Sequence, residues 1–478
     1  MATPSIIGRI NEQKVLKKLY QSKRSEFTAI YGRRRVGKTF LIKELFGETY
    51  SFYMTGLSNA NMQGQLINFH TSLGKFDKTI LEERTPKNWF TAFQYLINYL
   101  EKSKAKRKVI FIDELPWLDT PKSDFITSLE YFWNSWAYHR NDILLIVCGS
   151  ATSWMINELI NNHGGLHNRV TTRIHLQPFN LKETEAFLKA KGGVYDRYQI
   201  VQLYMTMGGI PFYLDEIEVR QSVDQNIDRL FFSQEGLLKT EFNNLYKSLF
   251  KKQEKHVAII EALATKAIGL SRKSLIKLAK LPNGGSTSKV LEELEQCGFI
   301  KKYLPFGKKL RSTLYQLTDP YSLFYLKFVR NSKAEGAGAW LMQMELPKWR
   351  AWSGYAFETI CLYHIQQIKK QLGIKNVYTE VSAWQSQKAE NGAQIDLVMD
   401  RRDRVINLFE MKFSENTYAI TKKYSENLKN KINVFREETK TNKALFLTFI
   451  TTFGLKTNQY SMGLVQDELT MDALFEPL

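Results

Sequence analysis

A glycine-rich loop near the start of the sequence carries residues that can bind phosphate. In "AIYGRRRVGKTF", Gly32 is followed, after four residues, by Gly37, Lys38 and Thr39. An apolar run precedes the loop and an amphipathic segment follows it, so the pattern predicts a strand, a loop and the start of a helix. Glycines let backbone N–H groups turn toward an anion, and the helix dipole favours negative charge. We therefore predict that Lys38 reaches the β- and γ-phosphates of a nucleotide and that Thr39 ligates Mg²⁺. The loop arginines Arg33, Arg34 and Arg35 either help to hold the phosphates or are solvated charges.

Further along the chain, an apolar run ends in two acids. "VIFIDELPWL" leads directly into Asp113 and Glu114. Downstream of a phosphate loop, a carboxylate at the end of the next core strand can hold Mg²⁺ through water, and its neighbour can polarise an attacking water. We assign Asp113 to the metal and Glu114 to catalysis. Ser150, at the end of "LLIVCGSA", senses the γ-phosphate, caps a helix, or does both.

A second set of chemically competent residues lies between positions 396 and 412. In "VINLFEMKFS", Glu410 and Lys412 interrupt an apolar strand and project from one face. The preceding apolar run, "GAQIDLVMD", carries Asp396. On adjacent strands, Asp396 and Glu410 would converge on one Mg²⁺, while Lys412 would position a water nucleophile and stabilise charge on a phosphate. The alternative is a structural strand whose Glu–Lys pair contributes little.

The pattern of apolar runs indicates the elements that would position these residues. Between residues 27 and 150, continuous apolar strands alternate with amphipathic helices, which is typical of a parallel sheet covered on both faces. From about residue 180 the strands give way to short helices. A stretch rich in Gly and Ala at 331–340 is the best candidate for a linker. Beyond it we predict a helix over 352–372, strands near 376–384, 393–399 and 404–413, a helix over 421–438 and a last strand at 443–450.

Several motifs follow one another in a recognisable order over about residues 1–320. They are "IIGRINEQKVL", the phosphate loop, "FIDE", "CGSA", "GGLHNRVTTRIHLQPF" and "MGGIPFYL". In this order they resemble the archaeal-type P-loop ATPases of the STAND group, relatives of AAA+ and origin-recognition ATPases. The resemblance implies a nucleotide-dependent switch in which the first motif contacts adenine and ribose, Pro211 lies in the lid, and either Arg169 or Arg173 is an arginine finger or sensor. The predicted ATP-binding residues are Gly8, Arg9, Gly32, Arg33, Arg34, Arg35, Val36, Gly37, Lys38, Thr39, Phe40, Asp113, Ser150, Arg169, Arg173 and Pro211.

Asp396 followed by Glu410-x-Lys412 resembles the signature of PD-(D/E)XK nucleases, over about residues 345–478. Ile395 stands where the motif has proline. The resemblance implies a further glutamate from the preceding helix, which Glu358 in "YAFETICLYHIQQI" matches, with Glu380 as a weaker candidate. Degenerate copies of this domain occur, so the fold does not by itself establish cleavage. The predicted catalytic residues are Glu114, Glu358, Asp396, Glu410 and Lys412, and the predicted metal ligands are Thr39, Asp113, Asp396 and Glu410.

Residues 251–320 read as three helices and a hairpin, an order that resembles a winged helix-turn-helix. In the predicted recognition helix, "GGSTSKVLEELEQCGFI", the first turn suits entry into a DNA groove, but the second half is acidic. The hairpin carries cations and no acid among them, which favours phosphate contact. Such domains in STAND-like proteins also serve as packing modules, so both roles remain open. The predicted DNA-binding residues are Lys289, Lys301, Lys302, Lys308, Lys309 and Arg311.

The composition narrows the choice of partner and compartment. The 478 residues carry a formal net charge of +19, which favours a polyanionic partner, nucleic acid first. The three cysteines match no metal or redox spacing and indicate free thiols in a reducing cytoplasm. We see no signal peptide and no apolar run long enough for a membrane span. We therefore predict a cytoplasmic protein that binds double-stranded DNA, with a homo-oligomer possible.

Together these features predict an α/β chain with a P-loop NTPase parallel sheet and helical lid, a winged helix-turn-helix, and a small α/β restriction-endonuclease-like domain. The expected cofactors are ATP and Mg²⁺, and the expected function is an ATP-driven switch that regulates a DNA-directed nuclease, in defence or mobile-element biology. One alternative is a switch whose inactive C-terminal domain serves assembly or transcriptional regulation, and another is an RNA-directed ATPase. The predicted domains are 1–180 (ATPase core), 181–250 (lid), 251–330 (winged helix), 331–344 (linker) and 345–478 (nuclease-like).

Overall fold

The computed structural model describes residues 6–161, 164–166, 168–250, 252–386 and 393–477. Contacts between Cα atoms divide the chain into two units, residues 1–178 and 179–478. Each unit has its own sheets and its own candidate site. The predicted domain limits within the second unit stay predictions.

The first unit is built around a parallel sheet. Its strands are β1 (Glu26–Tyr31), β2 (Tyr50–Thr55), β3 (Lys108–Asp113), β4 (Ile143–Gly149) and β5 (Thr172–His175). Its helices are α1 (Ile10–Tyr20), α2 (Lys38–Phe46), α3 (Met62–Gly74), α4 (Trp89–Lys102), α5 (Phe125–Ser135) and α6 (Thr152–Trp154). Among the described residues the strand order is β2-β3-β4-β1-β5, with every neighbouring pair parallel. The predicted α/β class and the parallel sheet are confirmed.

The central strands of this sheet are the ones that the sequence predicts. Every residue of β3 and β4 is buried, because helices cover both faces of the sheet and apolar side chains fill both sides. The two edge strands, β2 and β5, were not predicted. Their sequences, "YSFYMT" and "TRIH", mix polar with apolar residues because an edge strand is covered less completely.

The second unit begins with helices and contains a small antiparallel sheet. The helices of this part are α7 (Leu181–Ala190), α8 (Arg197–Met207), α9 (Pro211–Asp215), α10 (Val223–Ile227), α11 (Leu237–Leu249), α12 (Glu254–Ala264), α13 (Arg272–Ala279), α14 (Gly285–Gln296) and α15 (Pro320–Phe324). The strands are β6 (Leu270–Ser271), β7 (Ile300–Tyr303) and β8 (Leu314–Leu317). Strand β8 lies between β6 and β7 and is antiparallel to both.

A mixed sheet dominates the rest of the second unit. The helices here are α16 (Ala339–Met344), α17 (Pro347–Tyr363), α18 (Ile365–Gln371) and α19 (Lys422–Thr439). The strands are β9 (Thr379–Gln385), β10 (Gln394–Arg401), β11 (Val405–Lys412), β12 (Tyr418–Ala419), β13 (Ala444–Thr451), β14 (Leu455–Lys456) and β15 (Asp467–Thr470). In the described residues, the order is β15-β13-β11-β10-β9, antiparallel from β9 to β11 and parallel from β11 to β15.

The structure corrects three details of the predicted C-terminal region. The stretch 443–450 is not the last strand, because β14 and β15 follow it. The helix predicted over 352–372 is divided at His364, where the backbone has φ −108° and ψ 28°, and the buried ring of this residue accepts the backbone N–H of Leu181 at 3.1 Å. The stretch predicted as a linker includes α16, and its Trp340 is buried, with the indole N–H donating to Asp224 at 3.0 Å.

Candidate functional site

The phosphate loop joins β1 to α2 and contains two glycines with positive φ values. Gly37 precedes the first residue of α2 at φ 90°, and Gly32 has φ 147°. A Cβ on Gly32 would lie 2.3 Å from the carbonyl oxygen of Leu176. The backbone therefore takes its path because glycine tolerates both the left-handed conformation and the close approach.

The predicted phosphate-binding lysine points into this loop. Lys38 is 5% exposed, and its Nζ donates to the carbonyl oxygens of Gly32 and Arg33, each at 2.9 Å. A buried ammonium group requires such partners. The loop thus holds a positive charge at the N-terminus of α2, where the helix dipole also attracts an anion.

Thr39 and Asp113, the two predicted metal ligands of this unit, are in direct contact. The Thr39 hydroxyl donates to Asp113 Oδ2 at 2.7 Å, and Asp113 Oδ1 accepts the backbone N–H of Glu114 at 3.0 Å. Burial and the adjacent charge of Glu114 raise the pKa of Asp113, although the Thr39 bond opposes this. A hydroxyl beside a buried carboxylate is a donor set that suits Mg²⁺.

Glu114 is oriented by Ser150. The Ser150 hydroxyl donates to the Glu114 carboxylate at 2.7 Å, and its backbone N–H donates at 3.2 Å. Glu114 itself lies in the left-handed region at φ 48°, which turns the chain sharply after β3. The residue that precedes α6 is Ala151, so Ser150 does not cap that helix, and its observed role is to hold the predicted catalytic carboxylate.

The first motif is attached to the same loop. Gly8 and Arg9 both have positive φ values, 65° and 54°, and a guanidinium nitrogen of Arg9 donates to the carbonyl of Val36 at 3.2 Å. Arg34 is exposed, and Phe40 is 48% exposed on α2. These contacts place the predicted adenine-binding segment next to the loop.

The other predicted ATP-binding residues lie in different surroundings. The Arg169 guanidinium lies 4.9 Å from the ring centre of Tyr138. Arg173 is exposed on β5. Pro211 begins α9 in the second unit. His167, part of the motif that contains Arg169, lies outside the described residues.

Sequence reasoning missed His175 at the end of β5. Its ring stacks on Tyr31 with the centroids 4.8 Å apart and the planes 12° apart. Because β5 is parallel to β1 and the pairing of Tyr31 with His175 is the last of its register, both rings lie where β1 runs into the phosphate loop. A histidine at the end of a short polar strand gives no sequence signal until the strand order is known.

In the second unit, the predicted acids lie on neighbouring strands as expected. Strands β10 and β11 are antiparallel, and their register begins with Leu397 opposite Phe409, the residues next to Asp396 and Glu410. Glu358 comes from α17, which packs on β11. Glu380 is exposed on β9 and pairs with Asp400, four residues beyond Asp396, so the structure does not bring it into this acid cluster.

Glu410 is the most strongly held member of the acid cluster. It is 7% exposed, and its carboxylate accepts from Lys412 Nζ at 2.8 Å, from Lys431 Nζ at 3.0 Å and from the Tyr424 hydroxyl. Burial would raise the pKa of Glu410, but the two ammonium groups outweigh burial and hold that pKa below its ordinary value. Glu410 is therefore a buried, charged carboxylate.

The other two acids are shifted in the opposite direction. Burial, followed by the charge of Asp396, raises the pKa of Glu358 to about 8. Burial and the charge of Glu410 also raise the pKa of Asp396, although the amide of Gln394 donates to it. Lys412 and Lys431 lower both pKa values in part, and a divalent metal beside the two carboxylates would lower them further.

The oxygen atoms of the acid cluster suit Mg²⁺ in their chemistry but not in their arrangement. Asp396 and Glu410 offer hard oxygen ligands from adjacent strands. Among the described residues, however, no group of three or more His, Cys, Asp or Glu side chains is arranged to hold a metal ion. Both oxygens of Glu410 already accept from lysines, so a metal at Glu410 would share this carboxylate with two ammonium groups.

Lys431 and Tyr424 are residues of this cluster that sequence reasoning missed. Both come from α19, whose buried residues include Leu428 and Phe435. Lys431 lies three residues after Leu428 and four before Phe435, so it projects from the apolar face of the helix. A lysine on an apolar face was the available signal, and its meaning depends on knowing that this face covers Glu410.

The predicted DNA-binding cations are distributed over α14 and the β7–β8 hairpin. Lys289, Lys301, Lys309 and Arg311 are exposed, Lys308 is partly buried, and Lys302 pairs with Glu295 at 3.0 Å. Part of the hairpin packs against other elements of the second unit. The backbone N–H of Phe306 donates to the carbonyl of Ala383 in β9 at 2.8 Å, and its ring lies 5.1 Å from that of Phe435. One side of the hairpin is therefore a packing surface.

The order of the sheet and the loop geometry define the fold of a P-loop NTPase for the first unit. Residues 7–217 match the family described as an ATPase domain predominantly from Archaea. This segment is therefore similar to the ATPase domains of that family. Among the described residues, no helix has the length and apolarity that crossing a membrane requires.

Relatives of the chain are distant. The uncharacterized protein MJECL04 of Methanocaldococcus jannaschii is 23% identical over 415 residues, which cover 86% of this chain and 88% of the relative. The Walker-type ATPase PABY2304 of Pyrococcus abyssi is 17% identical, with a TM-score of 0.49, and the match covers 67% of this chain and 96% of that structure. The ORC2 protein of Aeropyrum pernix is 15% identical, with a TM-score of 0.43, over 72% and 97% of the two chains.

Proposed function

We propose that this protein is an ATP-regulated, Mg²⁺-dependent nuclease that acts on DNA. The observation that carries the proposal is the acid cluster, in which Asp396 and Glu410 lie on adjacent antiparallel strands with Lys412 bonded to Glu410 at 2.8 Å. This is the arrangement that the resemblance to PD-(D/E)XK nucleases implies. The net charge of +19 supports a nucleic-acid partner, and we place the protein in the cytoplasm, in defence or mobile-element biology.

In the ATPase domain, the chain's own residues divide the work of hydrolysis. Lys38 and the loop amides bind the phosphates, and Thr39 with Asp113 would hold Mg²⁺, which supplies positive charge to the γ-phosphate. Glu114, fixed by Ser150, polarises the attacking water. Arg169 or Arg173 adds positive charge as an arginine finger or a sensor, and a finger acting in trans would come from a neighbouring copy of the chain.

In the acid cluster, Asp396 and Glu410 would hold a second Mg²⁺, which activates water and polarises the scissile phosphate. Lys412 stabilises the charge that develops on the phosphate. Lys431 keeps Glu410 ionised and oriented. Burial raises the pKa of Glu358 to about 8, so this residue would act in its protonated form near neutral pH.

A chain of aromatic contacts supports regulation of this cluster by the predicted lid. Tyr198 of α8 stacks on Phe413 with centroids 5.0 Å apart, and Phe413 lies 5.7 Å from Phe357. Phe413 follows Lys412 in sequence, and Phe357 precedes Glu358. Nucleotide-dependent movement of the lid would therefore shift both residues, provided ATP favours one arrangement of the lid.

The test is cleavage of double-stranded DNA by the full chain with Mg²⁺ or Mn²⁺, with and without ATP. We expect Asp396→Asn to abolish cleavage while it retains ATPase activity, and Lys38→Ala to abolish both ATP hydrolysis and the response of cleavage to ATP. Cleavage that survives in Asp396→Asn would overturn the assignment of the acid cluster. Parallel assays with single-stranded DNA and with RNA identify the preferred polyanion.

One observation favours an alternative in which the C-terminal domain is catalytically inactive and serves assembly or transcriptional regulation. Both carboxylate oxygens of Glu410 are engaged by lysines, so the ion pair itself compensates the charge. Absence of cleavage under every metal condition, with ATP hydrolysis intact, would favour this alternative.

A further inference from the structure

A cavity of about 400 Å³ lies in the second unit between the β7–β8 hairpin and strand β9. Its volume falls within the range of about 300–1,000 Å³ that is usual for small-molecule sites. Tyr303 and Phe306 form the wall on the hairpin side, and Trp384 forms the wall on the strand side. Aromatic residues therefore line the cavity on both sides, although Trp384, which is 4% exposed, contributes little of the surface.

The polar residues of the cavity suit one class of ligand. Lys308 and Arg311 line it together with the hydroxyl of Ser312 and the amide of Gln385, and none of the described lining residues is acidic. Aromatic faces stack on nucleobases, cations bind phosphate, and hydroxyl and amide groups bond to base edges or sugar. A nucleotide uses all three kinds of contact, whereas a simple apolar ligand would leave two cations unused.

The aromatic walls are held in place by the core. Phe306 is fixed by its backbone bond to Ala383 and by its ring contact with Phe435. Trp384 is 4% exposed and meets Phe435 edge to face, with centroids 5.1 Å apart. A cavity with fixed walls loses little conformational entropy when a ligand enters.

The cavity also lies beside the acid cluster. Gln385 lines the cavity and pairs with Gln394 across β9 and β10, and the Gln394 amide donates to Asp396. A ligand in the cavity is thus a neighbour of the proposed cleavage site.

We propose that this cavity binds one unpaired nucleotide, with its base against the aromatic walls and its phosphate on Lys308 and Arg311. The inference rests on the proposed function, since it assigns to the nuclease a substrate strand with at least one unpaired base. The same chemistry would accept a free mononucleotide, so the two sources must be separated by experiment.

The experiment measures binding without cleavage. Full-length Asp396→Asn protein is titrated against a fluorescein-labelled single-stranded 12-mer, against the same 12-mer with one abasic site at successive positions, and against dAMP as competitor. We expect one abasic position to weaken binding about tenfold, and Lys308→Gln/Arg311→Gln to weaken binding of the intact 12-mer by a similar factor, since each change removes contacts to one nucleotide. The matched control is Lys273→Gln/Lys277→Gln, which removes the same charge from exposed positions of α13 that do not line the cavity.

The possible results separate failure of the cavity proposal from failure of the proposed nuclease activity. Efficient competition by dAMP identifies a mononucleotide site, and competition by the oligonucleotide alone identifies a site for a strand. If the Lys308/Arg311 variant binds the 12-mer as the control does, or no abasic position matters, the cavity proposal is refuted even if wild type cleaves DNA. If binding follows the cavity residues but wild type cleaves nothing, the cavity stands and the nuclease fails.

Discussion

The contact between Lys431 and Glu410 makes a measurable prediction about the acid cluster. Replacing Lys431 with Met keeps the length of the side chain and removes one charged donor from a carboxylate whose side chain is 8% exposed. A hydrogen bond to a charged group contributes about 1.5–3 kcal/mol, and removal of the sole partner of a buried charge costs about 3–5 kcal/mol. Because Lys412 and Tyr424 still donate to Glu410, we expect the smaller loss, about 2 kcal/mol.

The loss should appear as faster hydrogen exchange of the β11 amides, which reports the local free energy of opening. The matched control is Lys429→Met, because Lys429 is exposed on the same helix. This replacement should change the free energy of opening by no more than about 0.5 kcal/mol. Glu410 has a lowered pKa, so its contribution to stability is present above the unfolded pKa and is lost as pH falls through the folded pKa. The deficit of Lys431→Met should therefore shrink in acid.

Equal exchange in the two variants, or a deficit that persists after Glu410 is protonated, would refute this account of the ion pair. A divalent cation extends the test. If Asp396 and Glu410 bind Mg²⁺, the cation should protect β11 more in Lys431→Met than in wild type, because one competing ammonium group is gone.

The remaining predictions concern single contacts. Gly32→Ala would place a Cβ 2.3 Å from the Leu176 carbonyl, so we expect a loss of about 1–3 kcal/mol in thermal unfolding and loss of ATP binding in a filter assay. Thr39→Val should lower ATP hydrolysis about a hundredfold, whereas Thr39→Ser, which keeps the hydroxyl that bonds Asp113, should retain most of it. The pKa of Glu358 is raised from its ordinary 4.5 to about 8, so this group costs stability progressively as pH rises through that window. Wild-type stability should fall between pH 5 and 8 more steeply than that of Glu358→Gln; parallel curves would contradict the raised pKa.

The sequence predicted the centre of the ATPase domain because its signals are local. The spacing of Gly32, Lys38 and Thr39, and the position of Asp113 directly after an apolar strand, depend on neighbouring residues alone. The edge strands β2 and β5 were not predicted because they lack a continuous apolar run. His175 was missed because it lies in β5. The bond between Ser150 and Glu114 joins residues 36 apart and depends on the strand order.

In the second unit, the limits of sequence reasoning are set by tertiary contacts. The sequence could predict Asp396, Glu410 and Lys412 because charged residues interrupt two otherwise apolar strands. Lys431 was not, because helical periodicity shows that it shares a face with Leu428 but does not show what that face covers. Phe306 lay within a cationic hairpin expected to face DNA, and its contact with β9 depends on the meeting of two regions far apart in sequence.

These unforeseen contacts surround the acid cluster from three directions and bear on how it would be controlled. The hairpin lines the cavity beside Asp396, and helix α19 contacts Glu410 through Lys431. Helix α8 contributes Tyr198, which stacks on Phe413 next to Lys412. Helix α8 belongs to the predicted lid and the hairpin belongs to the predicted winged helix, whereas α19 belongs to neither. A nucleotide-dependent rearrangement would therefore change the surroundings of Lys412 and the cavity together while the pair of Glu410 and Lys431 stays intact. Control by ATP would then act on substrate access and on Lys412, while Lys431 would keep its ion pair with Glu410 in both states.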